Sequence, residues 1–455
     1  MITYSIIQKS QLEGALRLDA EYYGPYYFYL EEKIKKKRWD YLKNLIIFNR
    51  RGIQPKYSEE PTKYRAVVSQ NILEEFLDVD SLPYVTEDFF NSTPAQKVKI
   101  RPYDILIYTT GANIGRTNIF YSKGIEAIAS NHVNIIRVNP SKINQLYLGL
   151  FLQSKIGRDW TDRWASGSDQ EEIYPEDFEK FPVLIPDDSI QKYCEETLIK
   201  CFALIEESNK IYSQAENLLL EELGLKDFKV EDDLSYIVNL SQIKSAHRAD
   251  AEYFQPKYEK LIKRIECKKE SLHNLLSSPI KKGVEVGEEQ YQEEGKLFIR
   301  VSNLSKKGLV ERDQKYISEE LYQRLRKNFE PKVGEILLTK DATPGIAYVV
   351  KEPIEGIVAS GILRLKIKEN IEPEYLALAI NTIVGQYQIE RDTGGSVIFH
   401  WRPEQVENLL IPILPKLTQQ KIADLVQKSH EARKKAKELL EEAKRKVEKL
   451  IEEDK

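Results

Sequence analysis

The sequence predicts a mixed α/β (α+β) chain. Two similar globular domains are separated by two long antiparallel helices that form a coiled-coil-like spacer, with a pseudo-twofold axis relating the halves. Three observations predict this. An ordered set of phrases is written twice; short apolar runs punctuated by glycine recur in both copies; and each copy ends in an amphipathic stretch long enough, at 1.5 Å per residue, to span about 50 Å.

The duplication comes first. "RLDAEYYGPYY" (17–27) returns as "RADAEYFQPKY" (248–258), and Asp19 and Asp250 lie 231 residues apart. "SIIQKSQ" is echoed by "YIVNLSQ", "YLKNLI" by "SLHNLL", and "VVSQNIL" by "IRVSNLS". "YDILIYTTGANIG" is echoed by "GEILLTKDATPG", and "AIASNHVNIIRV" by "GIVASGILRLKI". The order is the same in both copies. The period is far longer than a solenoid repeat, so the pattern marks a duplicated domain.

Each copy reads as an apolar strand, the DAEY phrase, and a lysine-rich amphipathic helix after Pro25 or Pro256. Alternating apolar runs such as "DILIYTTG" and "EILLTKD" then read as strands joined by turns. "VNPSKINQLYLGLFLQSKIGRDW" and "IEPEYLALAINTIVGQYQIERD" each read as a helix. The expected boundaries are a first domain over 1–186, a spacer helix over 187–224, a linker over 225–235, a second domain over 236–415 and a C-terminal spacer helix over 416–455.

The first spacer stripe runs through Ile190, Cys194, Leu198, Cys201, Ile205, Ser208, Tyr212, Ala215, Leu219 and Leu223. The second runs through Ile422, Leu425, Ser429, Ala432, Ala436, Leu439, Ala443, Val447 and Leu450. Steps of three and four approach a heptad seam, so the two helices are expected to pack on each other.

Composition narrows the function. The chain of 455 residues is 41% hydrophobic and 31% charged, which reads as globular. It has no apolar run of membrane-spanning length. "MITYSIIQKSQ" lacks the basic start and apolar core of a signal peptide. Three cysteines are too few for a disulfide framework, so a reducing cytoplasm is expected. The net charge of −4 argues against nucleic acid until its distribution is seen: residues 187–233 hold 13 acidic and 5 basic residues, which leaves the remainder net positive. There is no GxxxxGK[ST], HExxH or CxxC, and the five histidines show no metal-ligand spacing. The chain is therefore expected to be non-catalytic and to hold no metal.

The ordered set resembles the specificity (S) subunit of type I restriction-modification enzymes. The phrases that carry the resemblance are "DILIYTTGANIGRTNIF", "SNHVNIIRV" and "GSDQEEIYPEDFEKFPVLIP" leading into a long helix with Gln191, with "EILLTKDATPGIAYVV", "ASGILRLKI", "GGSVIFHWRPEQVENLLIPI" and "QQKIADLV" in the second copy. The resemblance implies a non-catalytic subunit in which each half, a target-recognition domain, reads one block of a bipartite double-stranded DNA site. The long helices would set the gap and dock two methyltransferase (modification) subunits, and restriction/motor subunits would complete the complex. S-adenosylmethionine, ATP and Mg would then belong to the partner subunits. The second copy departs from the first by reading "DATPG" for "GANIG" and Gly361-Ile362 for Asn131-His132.

Base edges are read by Arg, Lys, Asn, Gln, Ser and Thr, so the candidates lie in irregular stretches between the apolar runs. In the first half they are Arg51, Gln54, Lys56, Gln70, Asn71, Asn113, Arg116, Arg163, Ser168 and Gln170. In the second they are Lys281, Lys282, Asn303, Lys340, Thr343, Ser396, His400 and Arg402. A stand-alone two-lobed nuclease and a protein-interaction scaffold that never touches DNA remain the alternatives.

Overall fold

The computed structural model describes residues 5–10, 12, 17–111, 113–122, 124–167, 171–229, 235–393 and 400–453. It divides into two compact units, Met1–Leu204 with Lys434–Lys455, and Ile205–Arg433.

In the first unit α1 (Pro25–Lys35) begins on a proline, whose missing N–H costs nothing at a helix start, and ends on Lys33 and Lys35, which favour the negative helix end. The two central sheets are built from β1 (Ile46–Arg51), β2 (Tyr64–Val67), β3 (Ile105–Tyr108), β4 (Thr117–Ile119), β5 (Glu126–Ala129) and β6 (Val133–Val138). An antiparallel sheet has the order β1-β6-β3-β4, while β2 and β5 pair in parallel beside it. β3 and β6 are buried almost continuously, because the sheet is covered on both faces. Helices α2 (Gln145–Gln153) and α3 (Lys155–Trp164) come next, and then α4 (Asp188–Glu222).

The second unit repeats this plan. After α5 (Pro256–Arg264) come β7 (Lys281–Lys282), β8 (Lys296–Ile299), β9 (Lys315–Ile317), α6 (Glu319–Phe329), β10 (Ile336–Thr339), β11 (Ala347–Val349), β12 (Gly356–Val358) and β13 (Ile362–Leu365). The main sheet has the order β7-β13-β10-β11, and β8 pairs in parallel with β12. Helices α7 (Pro373–Asn381), α8 (Ile383–Thr393) and α9 (Lys416–Glu452) complete it.

Internal bonds recur with the plan. The Arg137 guanidinium grips the Asp104 carboxylate through two 2.7 Å bonds, and Arg364 grips Glu335 at 2.8 and 2.9 Å. Gln191 accepts from the Asn144 N–H and donates to the Pro186 carbonyl; Gln419 does the same with Glu372 and Leu414. Each glutamine ties the first turn of a long helix to the start of the helix beside it.

The DAEY phrase has a structural task. Asp19 orients Arg17 by two 2.6 Å bonds, and Arg17 donates to the carbonyls of Trp164 and Ala165 at the end of α3. Asp250 orients Arg248, which donates to the carbonyls of Arg391 and Asp392 near the end of α8. A cation there satisfies carbonyls that the helix leaves unpaired.

Three expectations need correction. Among the described residues no strand precedes either DAEY phrase: residues 5–8 and 235–239 are irregular, and Leu240–Ala246 is a helix. Ile6 (90% exposed) and Ile237 (99%) have no sheet to pack against. The single helix expected after each main sheet is two helices. Ser154 and Thr382 are extended at the break, their hydroxyls donating to Phe151 and Ala379 carbonyls. Gly157 and Gly385 let the second helix approach: a Cβ there would lie 2.2 Å from the Leu152 oxygen or 2.4 Å from that of Ile380.

The third correction is the seam of α9. Its buried residues are Gln419, Ile422, Ala423, Val426, Ser429, Ala436, Leu440, Ala443, Val447 and Ile451, whereas Leu425, Leu439 and Leu450 flank the seam half-buried. Ile422, Ser429, Ala436, Ala443 and Val447 are buried as the stripe has them, while packing takes Val426, Leu440 and Ile451 in place of their neighbours Leu425, Leu439 and Leu450. The α4 stripe is buried from Cys194 to Leu223, with Ile190 half-buried at its start. In the first unit the Tyr193 hydroxyl donates to Glu442 and the Lys446 ammonium lies 3.5 Å over the Tyr193 ring. In the second, Ser429 donates to the Ser208 carbonyl, and α4 passes from one unit to the other between Leu204 and Ile205. Each unit holds the opening half of one long helix and the closing half of the other.

His430 on α9 lies between the rings of Tyr212 and Tyr348, 6.3 and 5.6 Å away. Burial, joined by the charges of Lys351, Arg433 and Lys307 against the pull of the Lys306 carbonyl, pushes its imidazole down to about 4. The folded unit therefore holds it neutral, while an unfolded histidine protonates near 6.5. Its contribution is complete above pH 6.5 and is lost as pH falls toward 4, a loss of up to about 3 kcal/mol. His430→Phe is expected to flatten the acid side of the stability–pH curve, as read by urea unfolding between pH 7 and 4.

Candidate nucleic-acid interface

In the first unit Arg51, at the end of β1, joins three other loops. Its Nε donates to the Asn131 carbonyl at 2.6 Å, one Nη donates to Thr110 Oγ1 at 2.6 Å, and the other pairs with Glu172 at 2.5 Å. Backbone bonds reinforce the cluster. Gly111 N–H donates to the Glu171 carbonyl, Ile173 N–H to that of Thr109, and Thr109 N–H to that of His132. Tyr174 donates to Glu172; this bond, with the Arg51 charge and against partial burial, holds the Glu172 carboxyl below the usual carboxylate range.

The second unit builds the same cluster with other side chains. Thr110 bridges Glu172 in the first unit, and Asp341 bridges His400 in the second. The cation at the β-strand end becomes Lys282, which is exposed. Asp341 Oδ1 lies 2.8 Å from His400 Nδ1, and its other oxygen meets the Lys340 ammonium. Burial opposes its ionisation, but those two partners hold the Asp341 carboxyl below its ordinary range. The backbone scaffold is common; the carboxylate now stands in the place of Thr110 and a histidine in the place of Glu172.

Glycines allow both clusters to close. A Cβ on Gly52 would lie 2.2 Å from the Ala129 oxygen and 2.3 Å from that of Ser130; on Gly283 it would lie 2.2 and 2.3 Å from those of Ala359 and Val358. Gly115 and Gly345 both turn through positive φ, +80° and +93°.

The candidate residues sort accordingly. Gln54, Lys56 and Gln70 are exposed, Asn113 is half-buried in the 111–115 turn, and Lys281, Lys282, Thr343, His400 and Arg402 are exposed. Arg402 also reaches Gln405, and Lys340 is largely spent on Asp341. Others are committed inside their units. Asn71 and Asn303 are buried and cap the turns at Val68 and Arg300 through their side-chain oxygens. Arg163 is buried on α3, bonded to the Tyr22 carbonyl and Glu31. Arg116 keeps a tenth of its side chain exposed, with Nε 3.1 Å from Glu74. Ser168, Gln170 and Ser396 lie outside the described residues.

The cluster adds residues that the composition of the loops did not single out: Thr110, Asn131, Glu172 and Tyr174 in the first unit and Asp341 in the second. One signal was present. Asn131-His132 have no match in an otherwise matching phrase, and the strand register corrects their counterparts from Gly361-Ile362 to Ser360-Gly361. Among the described residues no group of three or more His, Cys, Asp or Glu side chains could hold a metal ion, and no helix is long and apolar enough to cross a membrane.

The family model of the type I restriction modification DNA specificity domain matches residues 61–217 and, again, 251–445. The chain belongs to this family. Its two specificity domains are the two copies seen in the sequence, and each match runs into a long helix. The chain is similar to the type I restriction-modification system S subunit from M. genitalium, at 12% identity over 91% of this chain and 94% of that chain, with a TM-score of 0.39. It is similar also to the HsdS subunit from Thermoanaerobacter tengcongensis, at 13% identity over 91% and 95%, with a TM-score of 0.27. No curated protein matches it.

Proposed function

We propose that this chain is the DNA sequence-specificity subunit of a type I restriction-modification complex, and that each specificity domain reads one block of a bipartite site. The observation that carries the reading is the pair of loop clusters. One scaffold, with matching backbone bonds at Thr109 and Lys340, presents Arg51, Thr110 and Glu172 in one unit and Lys282, Asp341 and His400 in the other. A scaffold kept while its loop side chains change suits two blocks of different sequence.

The domains over 1–186 and 236–415 are the readers, and α4 and α9 form the antiparallel spacer that sets the gap and docks two modification subunits. A spacer of this length suits half-sites about one DNA turn apart, roughly 34–36 Å. S-adenosylmethionine, ATP and Mg serve the modification and motor subunits, and this chain supplies no catalytic group. The exposed Gln54, Lys56, Lys281, Lys282 and Thr343 supply phosphate and base contacts.

Co-expression with the cognate modification subunit, followed by sequencing of methylated DNA, is expected to reveal one motif of two unequal blocks. A complex that binds no DNA selectively would refute the reading. Strand cleavage by the chain alone would favour the nuclease alternative.

A further inference from the structure

Asn131 sits on the first loop cluster, half-exposed, in the turn between β5 and β6. Its place is fixed from two sides. Arg51 Nε holds its backbone carbonyl at 2.6 Å, and its side-chain Nδ2 lies 3.0 Å from His132 Nε2. With the amide nitrogen on this side, Asn131 donates to His132 Nε2, and the imidazole is the neutral tautomer with its proton on Nδ1. Among the described residues the Asn131 amide makes no other side-chain bond, which leaves its Oδ1 and second N–H for a partner. An acceptor beside a donor on a planar amide is the complement of the adenine N7 and N6–H₂ edge in the major groove, whereas guanine offers two acceptors there.

We propose that Asn131 reads one adenine in the DNA block recognised by the first specificity domain, with His132 and Arg51 as positioning residues. The inference rests on the proposed DNA-reading function and adds a base identity to it. The second domain does not repeat the reader. The Thr109 N–H donates to the His132 carbonyl as the Lys340 N–H donates to that of Gly361, so Gly361 answers to His132 and Ser360, with no carboxamide, stands in the place of Asn131. The assignment is therefore to one block only.

The test uses the full chain with its modification subunit and the motif found by methylated-DNA sequencing. Each adenine of the first block is replaced in turn by 7-deazaadenine, which keeps the pairing face and lacks the N7 acceptor. The wild-type complex is expected to lose on the order of 10-fold in affinity at one position. Asn131→Ala is expected to be indifferent to that same replacement and to accept other bases there, with the second block read as before. His132→Ala is expected to relax the same single position, a readout that a general loss of stability would not move. If no adenine of the first block is sensitive in the wild-type complex, or if Asn131→Ala keeps the full deazaadenine penalty, the assignment is overturned. A complex with no selective motif would instead overturn the proposed function on which it rests.

Discussion

Arg364→Ala is expected to destabilise the second unit by about 3–5 kcal/mol, because it leaves the Glu335 carboxylate buried without its partner. Both side chains are nearly inaccessible, at 3% and 10% exposure, and Arg364 also donates to the Asn328 carbonyl. The effect should fall on β10 and β13, the neighbouring strands that the pair joins and that lead into the 339–346 and 359–361 turns. Hydrogen exchange would show those amides opening first. The double replacement Glu335→Leu with Arg364→Met should recover most of the loss, since a matched apolar pair carries no desolvation cost. A single-variant loss below about 1 kcal/mol, typical of exposed pairs, would contradict the buried-pair account. Breaking the corresponding Arg137–Asp104 pair is expected to produce the same loss in the first unit.

Gly52→Ala is expected to disrupt the first loop cluster. The added Cβ meets two backbone oxygens at 2.2 and 2.3 Å, and neither is the end of a flexible side chain. Overpacking of this kind costs about 1–3 kcal/mol when neighbours can shift. Here relief requires β1 to move off the 129–131 turn, which would carry Arg51 away from Asn131, Thr110 and Glu172. Selectivity for the first DNA block is expected to fall at least about tenfold, the equivalent of roughly 1.4 kcal/mol. Gly283→Ala should do the same to the second block. Competition binding with sites scrambled in one block at a time separates the two. Unchanged first-block selectivity in Gly52→Ala would show that the Gly52 crossing does not position the reading loops.

The duplication was legible because it preserves order. Asp19 and Asp250, Gly52 and Gly283, and Gln191 and Gln419 occupy matching places in both sequence and structure. What the DAEY phrase does was not legible. Arg17 spends its charge on carbonyls at the end of α3, nearly 150 residues away, and no local pattern announces such a partner. The candidate readers divide on the same ground. Gln54 and Lys56 are exposed as expected, while Asn71, Arg163 and Asn303 have the right chemistry but spend it on their own units. In the other direction, Thr110 and Glu172 look ordinary in sequence and become notable only where Arg51 draws them together.

The sequence by itself determined that this protein is a doubled mixed α/β chain with two long amphipathic helices. Duplication and periodicity are properties of order along the chain, and they survive without coordinates. Only the tertiary structure decided which of two neighbouring residues completes the α9 seam, Leu440 rather than Leu439, and which polar residues remain free to meet a partner. The physical reason is the same for both. A helix stripe is chosen by the surface it packs on, and a side chain is free only if no group elsewhere in the fold has already satisfied it.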